Sequence, residues 1–410
     1  MPFRISFLFL LLIFISQTVF SQDTFHISGV VKDSKGVTLP GASVLLSGYQ
    51  KGTVADNNGE FTISKLSSGS YDVLVQLIGY FAISKNVKIE DKSISIEVIL
   101  EENQQLLDEV VIRPDPKRGE YLRIFREYFI GTSPNSKSCR IVNPQIINFD
   151  HDEAKRMLTA NTREFLIIEN RSLGYRIKYL LNHFQINDER TRVSYYGFPS
   201  YEELDKSKPE RFRKPRELAY KGSAQHFFRS LLQNSLQKEG FLLNKLLLGI
   251  KNYEKAPDSL IQDKLIFFDQ TDNKNFVSHG ADSLEYWQEM NRKPYFIDFL
   301  DKNPVLVDTL LKNEINGIKS MNFENGLYVS YKGKSESFYY KSKSAYRITK
   351  PYEYRNYQAS VIKQLRGPIR FFKNGNIEDP QSLLYEGYWS YEKMGDAMPL
   401  DYTPVKKGLH

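Results

Sequence analysis

Between Phe25 and Leu100 apolar residues recur at every second position, and turn-forming clusters interrupt them. Few folds satisfy that pattern. Alternation is clearest in Tyr71, Val73, Val75 and Leu77, and again in Ile94, Ile96, Val98 and Leu100. Period-two spacing buries one face of a strand and wets the other. Turn chemistry sits between the runs: DSKG at 33–36, LPGA at 39–42, DNNG at 56–59 and SSGS at 67–70. Asn58-Gly59 reads as a tight hairpin, because both residues tolerate positive φ. Seven short extended segments so spaced predict two sheets packed face to face, an all-β sandwich of about seven strands with Greek-key connections.

The stretch ISGVVKDSKGVTLPGASVLLSGYQKGTVADNNGEFTIS, followed by GSYDVLVQLIGY, resembles the carboxypeptidase regulatory-like domain, a transthyretin-like sandwich. That resemblance implies a binding or structural role. The same domain also precedes the plug of TonB-dependent receptors of Bacteroidota, where a sequence similar to LDEVVI follows it, here Leu107 to Ile112. A transporter barrel of about 22 strands at roughly ten residues each, with plug and loops, needs several hundred residues. Only 298 residues follow Ile112, and many of them read as helix. The expectation is therefore not a receptor of that class. IVNPQIINF, LIIENRSLGYRIKYLLNHF, AYKGSAQHFFRSLL and EGYWSYEKMGDAMPLDYTP are similar to stretches of Bacteroidota secreted proteins carrying this regulatory-like domain, a resemblance that carries over no activity.

The chain opens with Arg4, an apolar run from Phe7 to Ile15, and then Ser16, Gln17, Thr18 and Ser21. This is the layout of a secretory signal peptide, expected over residues 1–22. A bilayer crossing takes about 20 apolar residues, and this run breaks at Ser16. The expectation is an exported protein of the periplasm or outer membrane, without a transmembrane anchor after cleavage. A single cysteine, Cys139, forbids an intramolecular disulfide, so stability rests on burial. The formal net charge of +7 comes from lysines and arginines interspersed with acids. Such a surface does not point to nucleic acid.

The expected organisation is a sandwich over 23–102, a linker over 103–119 that ends in RPDPKRG, and an α+β domain with a mostly antiparallel sheet over 120–410. GEYLRIFREYFIG reads as a helix capped by Gly131, and FLIIEN, GYRIKYLLNHFQI and RVSYYGF read as strands of one sheet. A second helix is expected from about Arg216 to Glu239, ending at Gly240. GLYVSYKG, SAYRITK, ASVIKQL, IRFFKNGN and LLYEGYWS read as strands.

Local chemistry is sparse. Zinc carboxypeptidases place a glutamate three residues after a histidine, and none of the six histidines has one. HExxH and Gly-x-Ser-x-Gly are missing, as are Gly-rich phosphate loops. Asp56, Asn57, Asn58 and Glu60 resemble half a calcium loop, but the closing acid position is Ser67. Cys139 has Lys137 and Arg140 nearby, yet reads as a small buried hydrophobe. No catalytic residue, metal or cofactor is expected. Tyr220, His226 and Arg229 cluster on or beside an apolar helix, either as an anion or glycan contact or as a buried polar network. Trp389 and Tyr391 lead a tyrosine-rich region that would either stack on sugars or pack a sheet. The reading is a non-enzymatic envelope protein whose partner is another envelope protein or a polysaccharide, with the sandwich edges open to strand addition. The alternative is a hydrolase whose acid and base meet only in the fold.

Overall fold

The computed structural model describes residues 24–103, 115–270, 283–314, 318–343, 348, 350–372 and 377–404. The expected leader at 1–22, most of the expected linker and the LDEVVI segment lie outside the described residues.

Seven strands build the sandwich: β1 (Phe25–Asp33), β2 (Ser43–Leu46), β3 (Gly52–Val54), β4 (Glu60–Leu66), β5 (Gly69–Gln76), β6 (Ile83–Ile89) and β7 (Ile94–Leu100). They form sheets of order β4-β1-β7 and β3-β2-β5-β6. The alternating residues Val73, Val75, Val98 and Leu100 point into a shared core with Ile27, Val31, Val44 and Leu46. β1 and β7 run parallel, and at Gly29 they approach so closely that a Cβ would stand 2.0 Å from the Ile96 carbonyl oxygen. The DNNG turn is not a hairpin. β3 pairs with β2 and β4 with β1, so the turn carries the chain from one sheet to the other. Asp56 Oδ1 accepts from the Asn58 and Glu60 N–H groups at 2.9 Å, a local side-chain turn that needs positive φ only at Gly59.

Beyond the sandwich come α1 (Arg118–Phe125), continued by a π turn over Arg126–Ile130 and stopped at Gly131 (φ +99°), and the short α2 (Pro134–Lys137). A six-stranded antiparallel sheet follows: β8 (Cys139–Ile141), β9 (Asn148–Asp152), β10 (Met157–Asn161), β11 (Leu166–Asn170), β12 (Tyr175–Asn187) and β13 (Val193–Glu203). Phe125 and Phe129 cover this sheet and meet Tyr179 and Phe184 edge-on at 5.0 Å.

The helix expected over 216–239 is two helices, α3 (Pro209–Tyr220) and α4 (Ala224–Leu232). Gly222 sits at φ +80° between them, and the Ser223 side chain caps α4 by accepting from the His226 N–H. Leu236 is buried past the end of α4. A second core gathers Phe227, Phe228, Leu231, Leu236, Phe241 and Trp389 under a five-stranded sheet of order β15-β14-β18-β19-β21. This part of the chain comprises β14 (Phe241–Lys251), α5 (Asp258–Gln270), α6 (Leu284–Arg292), β15 (Phe296–Pro304), α7 (Val307–Leu310), β16 (Leu311–Asn313), β17 (Lys319–Met321), β18 (Gly326–Tyr331), α8 (Phe338–Lys343), β19 (Gln358–Gln364), β20 (Ile369–Phe371), β21 (Leu383–Gly387) and α9 (Tyr388–Tyr391), with β16, β17 and β20 paired as a separate three-stranded sheet. The tyrosine-rich SFYYKS segment is thus helical rather than extended, and YWSY leaves its strand at Gly387 (φ +74°) for one helical turn.

The sandwich is docked on this body. Leu45 and Leu74 point away from the sandwich core and pack against Phe165 and Leu180. Four backbone bonds cross the joint among the described residues: Gly48 N–H to Pro199 O (2.6 Å), Leu400 N–H to Gly48 O (2.6 Å), Tyr201 N–H to Tyr49 O (3.1 Å) and Ala82 N–H to Arg163 O (3.0 Å). Residues 387–404 then run as a strap over all three cores. Trp389 enters the second body core, Met394 and Met398 fill the first, and Leu400 packs on the sandwich.

Candidate functional site

The turn at Gly222 gathers most of the residues singled out from sequence. Its N–H donates to His226 Nδ1 at 3.2 Å, and its carbonyl accepts from Trp389 Nε1 at 2.7 Å and Gln358 Nε2 at 3.0 Å. A Cβ here would lie 2.6 Å from the Tyr331 ring, so glycine meets both the positive φ and the close approach. Since His226 Nδ1 is an acceptor, the neutral ring carries its proton on Nε2, which points to Glu239 Oε2 at 3.2 Å. Burial holds the His226 pKa below the usual imidazole value against the opposing pull of Glu239. Arg229 donates to the Tyr220 hydroxyl (3.0 Å) and to the strap carbonyls of Tyr402 (2.8 Å) and Leu400 (2.9 Å). Arg229 with Tyr220 thus fastens α3 and α4 to the strap, while His226 and Trp389 meet at the two sides of Gly222, and the Tyr220 and His226 rings touch at 4.8 Å.

Trp389 and Tyr391 do not present a stacking surface. They are 5% and 9% exposed, Trp389 against Phe227 and Tyr385, and Tyr391 among Tyr340 and Tyr388. Their alternation with other aromatics is resolved by the helical turn at 388–391, which turns both rings inward.

The strap also carries charges whose titration is strongly perturbed. Burial pushes the Glu392 carboxyl up to about 8, against Lys334 at 4.0 Å. Burial pulls the Lys393 ammonium down to about 8 and raises Asp396, whose Oδ1 accepts from Asn135 Nδ2 at 3.0 Å. Such shifts mark candidate acid and base groups when they face a cavity. An open cleft of about 410 Å³ lies elsewhere, between sandwich and body, lined by Phe81, Ser84, Glu101, Thr162, Arg163 and Asn182. Cys139 is buried, its thiol pushed up to about 12 by desolvation, which leaves it without thiolate character at neutral pH. Among the described residues no group of three or more His, Cys, Asp or Glu side chains is placed to hold a metal ion.

Sequence reasoning missed the surface around β15. Tyr253 is 85% exposed, Phe296 65% and Phe299 53%, with Tyr295, Ile250 and Ile297 exposed beside them. The signal was the run Tyr295-Phe296-Ile297-Asp298-Phe299-Leu300, apolar on both faces of a strand at the edge of its sheet. Contiguous exposed apolar side chains of this size mark interaction surfaces.

The architecture is that of a β-sandwich joined through an apolar face to an α+β body with two cores. Residues 27–112 match the family model of the CarboxypepD_reg-like domain, and the sandwich is a domain of that kind. Over 111 residues the chain is 32% identical to the TonB-dependent receptor SusC of Bacteroides thetaiotaomicron, a match covering 27% of this chain and 10% of the receptor. The chain thus spans about a tenth of that receptor's length. Among solved structures, the group B streptococcus pilus 2b backbone protein overlaps 20% of this chain and 43% of its own, at 17% identity and a TM-score of 0.18. A type II cohesin-X-dockerin complex from Acetivibrio cellulolyticus overlaps 19% of this chain and 58% of its own, at 21% identity and a TM-score of 0.18. Among the described residues no helix is long and apolar enough to cross a membrane.

Proposed function

We propose that this chain is a non-enzymatic binding or structural protein of the bacterial cell envelope, whose ligand-facing surface is on the α+β body. The observation that carries the reading is the exposed apolar end of the five-stranded sheet, where Tyr253, Phe296 and Phe299 are each more than half exposed. Burying such side chains against a partner is favourable by about 25 cal/mol per Å² of apolar surface. The perturbed carboxylates Glu392 and Asp396 are absent from the lining of the interdomain cleft, so the geometry gives less support to a hydrolase. Export is proposed from the leader-like residues 1–22 and from the shared domain of a TonB-dependent receptor. The sandwich's own role in this reading is to dock: the outer face of its β3-β2-β5-β6 sheet is covered by the body, while its β4-β1-β7 sheet faces outward.

The test is capture of the tagged protein from its own envelope fraction in mild detergent, with Phe299→Asp as the paired variant. One envelope protein recovered at near-equal amount by the wild type and lost by the variant supports the reading. Recovery of no stoichiometric protein by the wild type overturns it.

A further inference from the structure

We propose that β15 accepts an extended, apolar segment of a partner protein as an added strand, with a lysine or arginine of that segment placed against Asp298. This rests on the binding reading above and deepens it by naming the mode of contact.

β15 is the last strand of its sheet, paired to β14 on one side only among the described residues. The direction of its free backbone groups follows from one bond. The Tyr295 carbonyl accepts from the Asn252 N–H at 2.8 Å and so points towards β14. In a strand the N–H and C=O of one residue share a side and alternate along the chain. Ile297 and Phe299 therefore face β14, and the N–H and C=O of Phe296, Asp298 and Leu300 face the open edge. Natural edges are protected by bulges and proline. Opposite the window the slip between the Leu247–Phe299 and Ile250–Ile297 pairs puts the extra residue on β14, so β15 keeps its alternation there, and the devices on β15 itself lie beyond. The register slips between the Asn244–Pro304 and Leu246–Leu300 pairs, and Asn244 Nδ2 fills the bulge by donating to the carbonyls of Asp301, Lys302 and Asn303. The open edge is thus confined to Phe296–Leu300, where the flanking side chains are largely apolar and exposed.

Two geometric facts select the occupant. A second copy of β15 pairs poorly. Opposed residues of an antiparallel pair must both face the seam or both face away, so two identical edges can be related only by an axis through a residue. An axis at Asp298 sets two carboxylates against each other, and an axis at Ile297 or Phe299 leaves only three residues overlapped. Charge selects the partner's sign. The Asp298 carboxylate accepts from the Gly249 N–H at 3.1 Å and Asp301 from Asn303, and neither is in an ion pair among the described residues, while Lys302 is turned to Glu353 at 3.7 Å. The Asp298 carboxylate, the one charge within Phe296–Leu300, selects an apolar strand with a single lysine or arginine opposite it, while Lys251 and Lys255 lie over the Tyr253 and Tyr295 rings beside the edge.

The experiment uses the full chain and acetylated peptides of about ten residues, one alternating valine with lysine and one alternating valine with glutamate, measured by calorimetry. The expected result is binding of the lysine peptide about fivefold or more tighter than the glutamate peptide, reversal of that preference by Asp298→Lys, and loss of binding when alternate peptide nitrogens are methylated. Binding of neither peptide, equal binding of both, or undiminished binding of the methylated peptide overturns strand addition. If the wild type nevertheless captures a stoichiometric envelope protein that Phe299→Asp loses, the binding reading stands and only the strand mode fails. If that capture is also empty, both fail.

Discussion

Leu74 offers a direct test of whether the sandwich is docked or merely tethered. It lies on β5 between Val73 and Val75, so its side chain leaves the sandwich on the outer face, where a free domain would expose it to water. Here it is 0% exposed, in a cluster with Leu45, Phe165 and Leu180. Leu74→Ala removes three carbons from that cluster. At about 0.8 kcal/mol per buried methylene the transfer loss is about 2.4 kcal/mol, and the residual cavity brings it to about 3 kcal/mol. That is roughly a hundredfold shift in the unfolding equilibrium. Ile99→Thr, on the outward face of the other sheet and 51% exposed, is the matched control and is expected to change stability by less than about 0.5 kcal/mol. Urea denaturation of the full chain followed by circular dichroism measures both. Leu180→Ala approaches the same joint from the body side, and the double variant is expected to lose less than the sum of the two single losses. A Leu74→Ala shift under about 0.5 kcal/mol, equal to the control, refutes the docked arrangement.

Arg229→Met removes the three bonds that hold Tyr220 and the strap carbonyls of Leu400 and Tyr402. Buried carbonyls left unpaired cost about 1–3 kcal/mol each, so limited proteolysis is expected to cut first near residues 400–404. Burial lowers the His226 pKa below its unfolded value, so between the two values the unfolded chain holds more protons and stability falls as pH drops from about 6.5. His226→Gln is expected to flatten that slope in thermal melts. Glu392 carries the opposite sign. Its folded pKa of about 8 lies above the unfolded value, so the folded chain holds the extra proton and stability falls as pH rises from about 4.5 to 8. Glu392→Gln should gain stability over wild type across that window, and a constant difference would contradict the buried placement. Cys139 should resist thiol reagents in the native protein at pH 8 and react on addition of urea, because its thiol is buried and raised to about 12.

How much of this was legible before the structure depends on whether a residue's environment is set nearby or far away. Period two along Tyr71, Val73 and Val75 located the sandwich core because a strand's two faces are fixed locally. The same segment also held an overlooked signal. Val73-Leu74-Val75 and Val44-Leu45-Leu46 are uninterrupted apolar runs, and a strand apolar on both faces must be covered on both. The split of the long helix was readable at Gly222-Ser223, a glycine followed by a good N-cap, but helical spacing through Leu236 masked it. Tyr220, His226 and Arg229 were found together because they are close in sequence. The outcome, a fastening through Arg229 to the strap, was hidden, since it depends on strap carbonyls at separations of 171 and 173 residues. Trp389 and Tyr391 looked available because nothing local announces the turn at Gly387 that folds them inward.

The strap also fixes an order of events. Leu400 donates to the Gly48 carbonyl, and the Gln50 N–H meets the Asp401 carboxylate across 351 residues of chain. At about 5–20 residues per second, the ribosome completes the sandwich roughly 15–60 s before its fastening exists. Until Phe165 and Leu180 are made, Leu45 and Leu74 have no body partners, and the strap follows last. The nascent sandwich therefore spends its first moments as a sticky half-interface, open to whatever handles newly made chains.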